Sequence, residues 1–158
     1  MPLPWTLYTL DTMSPVQLYA MLRLRSEVFV VEQNCVYQDA DGYDLKAHHL
    51  IGTIPNPEST EAAEIAACAR IIAPGVKYPE ASLGRIVTSA NVRGTGEGRH
   101  LLREAIAACE TLHPNAGITL SAQQHLEAFY AEFGFATRSA PYLEDDIPHV
   151  EMSRPAAK

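Results

Sequence analysis

The feature that most constrains the fold is a short, almost uninterrupted apolar run, IAACARII at positions 65–72. A strand with one face in water alternates polar and apolar residues, whereas a strand that is apolar on both faces is covered on both sides. The run is long enough for a strand and short for a buried helix. It therefore predicts a central strand in a layered structure.

Helices and strands are predicted to alternate on either side of this run. Ser14 is a predicted helix N-cap, since Pro15 suits the first helical position and Gln17 completes a capping box. Apolar residues at helical spacing continue this helix through Leu18, Leu22 and Phe29, with Met21 and Val28 alongside. Two further helices are predicted at 96–113 and 124–133, the latter ending at Gly134. Six more strands are predicted at 5–10, 48–54, 85–90, 118–122, 135–139 and 150–153.

The breaks between elements are short. The turn-rich stretches at 55–60 (PNPEST) and 73–80 are predicted loops, and neither is long enough to link two domains. Adjacent strands mixed with β-α-β units indicate a three-layer α/β or α+β structure with a mixed sheet. A length of 158 residues suits one domain, predicted over 1–158.

Composition excludes several classes of protein. The formal net charge of −7 argues against a general nucleic-acid binder, which needs a strong basic patch. No stretch approaches the roughly 20 apolar residues of a membrane helix, and the first residues do not resemble a signal peptide. The three cysteines predict reduced thiols in a cytoplasmic protein, with Cys68 and Cys109 in the core and Cys35 in an exposed loop.

A glycine-rich turn, VRGTGEGR at 92–99, lies between a predicted strand and the strongest predicted helix. Glycines let backbone approach a bulky anion, and the first amides of the helix point towards it. Residues 85–103 contain four arginines and one acid, so this segment is basic within an acidic chain. The turn predicts a pyrophosphate site. It lacks the Lys of a P-loop and the third Gly of a dinucleotide-binding turn.

The pattern R-x-x-G-x-G at 93–98 resembles the coenzyme A signature of the GNAT N-acetyltransferase superfamily, and FYAEFGF at 129–135 resembles its Y-x-x-x-G-F box. Three more segments are similar to the ElaA-type branch: LRLRSEVFVVEQ at 22–33, DGYD at 41–44 and YLEDDIPH at 142–149. The resemblance spans roughly residues 5–154. It implies a central mixed, mostly antiparallel sheet flanked by helices, with acetyl-CoA as co-substrate.

The resemblance also implies how acetyl-CoA would be held. Backbone groups of one strand would bind the pantetheine arm, and the glycine-rich turn would bind the pyrophosphate. Gln123 stands where many members of the family carry Asn, and it too is a candidate contact to the pantetheine arm. The expected binding residues are Ile86, Val87, Thr88, Arg93, Gly94, Thr95, Gly96, Gly98, Arg99 and Gln123.

The expected reaction is direct attack of an amine on the thioester. The amine must lose a proton, the intermediate oxygen needs a donor such as an amide of residues 86–88, and the leaving thiolate needs a proton. The resemblance places Tyr130 near the thioester sulfur as the acid, although its apolar helix face also suits a core side chain. Glu32, Asp146 and His149 are the candidate bases, although Asp146 also suits a solvated acidic rim. No residue set has metal-ligand spacing, so no metal is predicted.

Acidic residues at Glu32, Asp39, Asp41 and Asp44, and again at 144–146, suggest a cleft that favours a cationic amine. Residues 145 and 146 are interpreted as a solvated acidic rim, and one of His48 and His49 is expected to face inward. Two other functions stay open. One is a sensor that binds an acyl-CoA without turnover. The other is a transferase of longer acyl chains, because the segment 25–32 also resembles acyl-homoserine-lactone synthases. The resemblance also implies that the protein can form a homodimer.

Overall fold

The computed structural model describes residues 2–56 and 63–158, and the structural statements below concern those residues. It contains eight strands: β1 Trp5–Tyr8, β2 His48–Ile54, β3 Glu64–Ile72, β4 Ala81–Thr88, β5 Ile118–Gln123, β6 Ala136–Thr137, β7 Tyr142–Glu144 and β8 Ile147–Arg154. The helices are α1 Pro15–Arg25, α2 Glu97–Leu112 and α3 Glu127–Ala131. The predicted loop at 55–60 lies largely outside the described residues.

The strands form one mixed sheet in the order β1-β2-β3-β4-β5-β8-β6, with β7 paired to β8. Every pairing is antiparallel except that of β4 with β5. Helices cover both faces: α2 and α3 pack with one core cluster, and α1 packs with the other. The predicted α+β class with a mixed sheet flanked by helices is confirmed.

The central run is a strand that is buried on both faces. In β3, Ala67, Ala69 and Ile71 face the core under α2, while Cys68 faces the core under α1. The cysteine predictions are confirmed for Cys68 and Cys109, which are both buried.

The first helix begins as predicted but does not stay α-helical. Ser14 accepts from the Gln17 amide, and Gln17 bonds back to the Ser14 amide. After Arg25 the helix continues as a π-helix over Ser26–Glu32. Of the predicted buried stripe, Met21 and Val28 are buried, as is Leu24, whereas Leu18, Leu22 and Phe29 are half-buried.

Several boundaries differ from the sequence predictions. Strand β1 ends at Tyr8, because the chain turns into a 3₁₀ helix at Leu10–Thr12. Strand β4 begins at Ala81, four residues before the predicted start, since Gly84 interrupts the apolar pattern without ending the strand. The predicted helix at 124–133 is a 3₁₀ turn, Gln124–Leu126, followed by α3, and Gly134 ends it with φ = +87°.

The hairpin of β7 and β8 was not predicted. Its two-residue turn is Asp145-Asp146, both with positive φ, as a type I′ turn requires. The hairpin covers Cys35, whose thiol donates to the Asp145 carbonyl oxygen at 3.4 Å. The prediction that Cys35 is exposed is therefore wrong, because the thiol is buried under this hairpin.

Candidate active site

The candidate site is an opening in the middle of the sheet. Strands β4 and β5 are parallel neighbours, but they pair only at Ala81 with Ile118 and at Ser82 with Thr119. Beyond these pairs, the edge of β4 that faces β5 has no strand partner among the described residues. A cavity of about 790 Å³ lies along this opening and is lined from both strands.

A bulge in β4 shapes one wall of the cavity. Cys68 pairs with Val87 and Arg70 pairs with Gly84, so β4 has one residue more than β3 between these pairs. Arg85 lies in the bulge with φ = +49°, a left-handed conformation that is uncommon for a residue with a Cβ. The three residues after it, Ile86, Val87 and Thr88, line the cavity, where their unpaired edge offers backbone groups to an extended ligand.

The glycine-rich turn joins this strand to α2. Gly94 and Gly96 have φ values of +77° and +90°, which other residues adopt only with strain. The turn brings the chain directly into α2, whose first amides have no partner within the helix. A Cβ placed on Gly98 would meet no atom within 4 Å, so a bulky group can approach the start of α2 closely. This geometry fits a pyrophosphate.

The two arginines of the turn are each paired with a carboxylate. Arg93 forms a two-point ion pair with Glu32 and also donates to the Thr88 carbonyl oxygen at 3.3 Å. Arg99 pairs with Glu132 and lies over the Phe129 ring. Both ion pairs are partly exposed, so a phosphate could replace either carboxylate. The hydrogen bonds from Arg93 lower the pKa of Glu32, which makes Glu32 a weaker base.

Tyr130 lines the cavity from α3 and is 7% exposed. Its ring packs edge-on against Phe129 and Phe135. Burial raises the pKa of the Tyr130 hydroxyl to about 12. Among the described residues this hydroxyl has no hydrogen-bond partner. A protonated phenol is therefore available to a group bound in the cavity.

His149 and Gln123 lie side by side on paired strands, His149 on β8 and Gln123 on β5. Both line the cavity. The amide of Gln123 donates to Gln33 at 3.3 Å, which joins β5 to the chain just after the π-helix. His149 is 7% exposed, and its Nε2 lies 3.3 Å from a carboxylate oxygen of Glu144.

A buried network of charges forms the wall next to the bulge, and the sequence reasoning did not foresee it. Arg25, 1% exposed, donates to Asp44 at 2.8 Å and to Asp39 at 2.9 Å. Arg70, equally buried, donates to Asp41 at 2.7 Å and to Asp44 at 3.1 Å. Arg85 completes the network with Asp39 and Asp41. Burial opposes ionisation of Asp44, but hydrogen bonds and charge from Arg25 and Arg70 outweigh it and lower its pKa.

This network changes how the basic segment at 85–103 and the acidic residues at 39–44 are interpreted. Arg85 belongs to it, so the basic segment around the turn is smaller than the sequence count indicates. Asp39, Asp41 and Asp44 are matched by three arginines, so they do not make the cavity acidic. The ionised side chains that line the cavity are mixed in sign: Arg70, Lys77, Arg85, Arg93, Glu32, Asp41, Glu144 and Asp145.

One histidine of the pair 48–49 is internal, as predicted. His49 is 1% exposed, and its Nε2 lies 3.2 Å from the Asp44 carbonyl oxygen. It therefore supports the loop that carries the acidic half of the network. In residues 2–56 and 63–158 there is no group of three metal-ligating side chains placed to hold an ion, and no helix long and apolar enough to cross a membrane.

Comparison with known proteins agrees with this geometry. The family model of the GNAT acetyltransferase domain matches residues 59–155. Protein ElaA of Escherichia coli K12 is 40% identical over 144 residues, 90% of each chain. A UPF0039 protein of Synechocystis sp. is 41% identical over 152 residues, 96% of this chain and 95% of its own.

Solved structures show the same fold. An acyl-CoA N-acyltransferase from Pseudomonas aeruginosa, 40% identical, has a TM-score of 0.88 and covers 96% of this chain and 99% of that one. The crystal structure of E. coli ElaA, 38% identical, has a TM-score of 0.85 with the same coverage. Fold, turn and cavity together define an acyltransferase that uses an acyl-CoA. The chain belongs to the GNAT acetyltransferase family, in its ElaA-type branch.

Proposed function

We propose that this protein transfers an acetyl group from acetyl-CoA to an amine, by direct attack within a ternary complex. The observation that carries the proposal is the opening between β4 and β5. It has a glycine-rich turn near one wall and the unpartnered hydroxyl of a buried tyrosine in its lining. The whole chain would act as one domain, in the cytoplasm, with neither metal nor nucleic acid as a partner.

The coenzyme would lie along β4. The free edge of Ile86, Val87 and Thr88 would bind the pantetheine arm, with Gln123 facing it across the opening. Amides of Gly94, Thr95, Gly96, Gly98 and Arg99 would bind the pyrophosphate. Arg93 would exchange Glu32 for a phosphate oxygen, since its guanidinium forms similar two-point bonds with either partner.

Acetyl-CoA supplies an activated acyl group and a thiolate leaving group. Tyr130 would donate the proton that this thiolate takes up. A phenol with a pKa raised to about 12 is protonated at neutral pH and can hydrogen-bond to the sulfur as negative charge develops on it. A thiol is the stronger acid, with a parent pKa near ~8.5, so full transfer from Tyr130 needs the proton that the nitrogen of the new amide releases. An amide of the Ile86–Thr88 strand would donate to the oxygen that becomes negative during attack. Of the three candidate bases, Asp146 does not line this cavity. His149 suits the role better than Glu32, because Arg93 lowers the pKa of Glu32.

The test is release of thiol from acetyl-CoA with a panel of amines that contains n-butylamine, spermidine, glutamate and a peptide with a free amino terminus. Amine-dependent release with an acetylated product supports the proposal. Binding of CoA by calorimetry with no release for any amine would instead support the sensor function. Faster turnover of octanoyl-CoA than of acetyl-CoA would support transfer of longer chains. Size-exclusion chromatography with light scattering tests for the homodimer.

A further inference from the structure

The β7–β8 hairpin assembles a second polar group in the cavity, beyond the residues that would hold the coenzyme. His149 lies on the β8 strand of the hairpin, opposite Tyr142 on β7, and the two rings stack at 6.2 Å between centroids. Ser121 on β5 donates to Glu144 at 3.3 Å and also bonds to the Tyr142 hydroxyl. The Glu144 oxygen that accepts from Ser121 is the one that lies 3.3 Å from His149 Nε2.

The surroundings of the imidazole fix where its proton lies. His149 Nδ1 is 2.6 Å from the Ile147 carbonyl oxygen, which can only accept, so Nδ1 carries hydrogen and donates. In the neutral ring Nε2 therefore carries a lone pair. That lone pair faces a carboxylate oxygen, which is also an acceptor. Two acceptors at this distance need a proton shared with them, either one on Nε2, as in an imidazolium paired with Glu144, or one from a donor bound beside both.

We propose that His149 and Glu144 together bind the protonated amine of the acceptor and that His149 removes its first proton. This inference rests on the proposed function and names the acceptor subsite within it. An ammonium group has three N–H donors, so it can donate to His149 Nε2 and to Glu144 at once. Tyr130 lines the same cavity from α3, so the acid would act on the coenzyme sulfur and the base on the acceptor amine within one site.

The proton count balances. His149 Nε2 takes one proton from the ammonium, which leaves the amine a free lone pair. The nitrogen–carbon bond to the acyl group then forms, and the carbon–sulfur bond breaks. Tyr130 gives its proton to the departing sulfur and regains one from the nitrogen of the new amide. Glu144 stabilises the imidazolium until its proton passes to water, so the net products are an amide, a free thiol and one proton.

The same surroundings favour an acceptor with a single positive charge. Glu144 and His149 offer one anionic position. On the β3–β4 side, the cavity is lined by Arg70, Arg85 and Lys77. Lys77 makes no ion pair with another described residue and lies over the Tyr43 ring. Arg70 and Arg85 are both paired with Asp41, so Lys77 is the cation that a second ammonium on the acceptor would meet.

Two variants test the subsite kinetically, with Asp146→Asn as matched control. Asp146 belongs to the same hairpin but does not line the main cavity, and Asn tolerates its positive φ. Glu144→Gln should raise KM for n-butylamine about 10- to 100-fold, as loss of a charge-assisted bond would. KM for acetyl-CoA should stay unchanged. His149→Gln should lower kcat about 10²- to 10⁴-fold, and Asp146→Asn should leave both constants at wild-type values.

Nitrogen NMR of the histidine side chains gives a readout that needs no turnover. With CoA bound, the His149 signals should show hydrogen on Nδ1, and n-butylamine should shift them saturably in wild type and in Asp146→Asn but not in Glu144→Gln. Hydrogen on Nε2 and not on Nδ1, or His149 signals that do not change when the amine is added, would overturn the subsite. Wild-type acetylation by both variants would also overturn it while leaving acetyl transfer intact. Saturable shifts without acetylation of any amine would support the subsite and contradict acetyl transfer.

Discussion

Glu32 at the end of the π-helix and Arg93 at the start of the glycine-rich turn are joined by a two-point ion pair, although 61 positions separate them in the chain. The pair joins the helix before β2 to the residue that would bind the pyrophosphate. Both side chains are partly exposed and both line the cavity. Binding of a phosphate at Arg93 therefore competes with Glu32.

Replacing Glu32 by Gln should strengthen coenzyme binding. The neutral amide competes less well for Arg93 and does not repel a phosphate, so we expect the Kd for CoA to fall about two- to fivefold. The measurement is calorimetric titration with CoA, and Glu132→Gln is the matched variant at Arg99. If Glu32 were the base, kcat would collapse in Glu32→Gln, whereas this account expects kcat to be retained.

A larger residue at position 98 should weaken coenzyme binding without destabilising the fold. Gly98 lies in the first turn of α2 with open space beside it and no positive φ, so Gly98→Leu should fold normally. Its unfolding free energy should be equal to that of wild type or higher by about 0.5–1 kcal/mol, because Leu favours a helix more than Gly does. The new side chain should weaken CoA binding about tenfold or more, since it fills the space that the pyrophosphate needs. A stable Gly98→Leu protein with wild-type affinity for CoA would place the pyrophosphate elsewhere.

The buried arginine network should dominate stability among the ion pairs. Asp44→Asn leaves Arg25 and Arg70 short of a carboxylate in the interior, and we expect a loss of about 3–5 kcal/mol in urea unfolding at pH 7. Glu132→Gln removes a surface pair and should leave the urea midpoint nearly unchanged.

The destabilisation caused by Asp44→Asn should become smaller as the pH falls. Because the pKa of Asp44 is lowered in the folded protein, its contribution is present above the usual carboxyl value of 3.8 and is lost as the pH falls below it. The difference in stability between wild type and Asp44→Asn should therefore shrink from pH 5 towards pH 2. A difference that is constant across this range would show that Asp44 does not act through its charge.

Because Lys77 is positively charged, additional positive charge on the acceptor should lower kcat/KM. We expect kcat/KM to be higher for n-butylamine than for spermidine, because the additional ammonium groups of spermidine meet Lys77, whereas the neighbouring arginines are already paired with carboxylates. Lys77→Glu should raise kcat/KM for spermidine and leave that for n-butylamine nearly unchanged. The substitution Lys46→Glu, away from the cavity, controls for net charge. A preference of the wild type for spermidine would restore the acidic-cleft hypothesis drawn from the sequence.

Local signals in the sequence predicted much of the fold. The Ser14–Gln17 box, the glycines of the turn and the Tyr130–Gly134 spacing each act over a few residues, and the structure places them in the expected elements. The ion pairs of the buried network could not be predicted, because their partners lie far apart in the sequence. Asp44 was assigned to an acidic cleft for a cationic amine because its partners Arg25 and Arg70 lie 19 and 26 positions away in the chain.

The β7–β8 hairpin and the opening between β4 and β5 were not predicted for a different reason. Strand β7 has three residues, too few for a periodic pattern, so the hairpin that buries Cys35 and brings Glu144 to His149 could not be foreseen. The separation of β4 from β5 is likewise a property of their pairing and has no signature in either strand alone.

The central claim is that Tyr130 protonates the thiolate that leaves during acetyl transfer. The most direct test is single-turnover thiol release from acetyl-CoA by Tyr130→Phe with a saturating acceptor amine, with CoA affinity measured in parallel. Phe keeps the packing against Phe129 and Phe135 and removes only the hydroxyl. We expect the rate to fall about 10²-fold or more while the Kd for CoA stays within about twofold of wild type. A wild-type rate in Tyr130→Phe would contradict it.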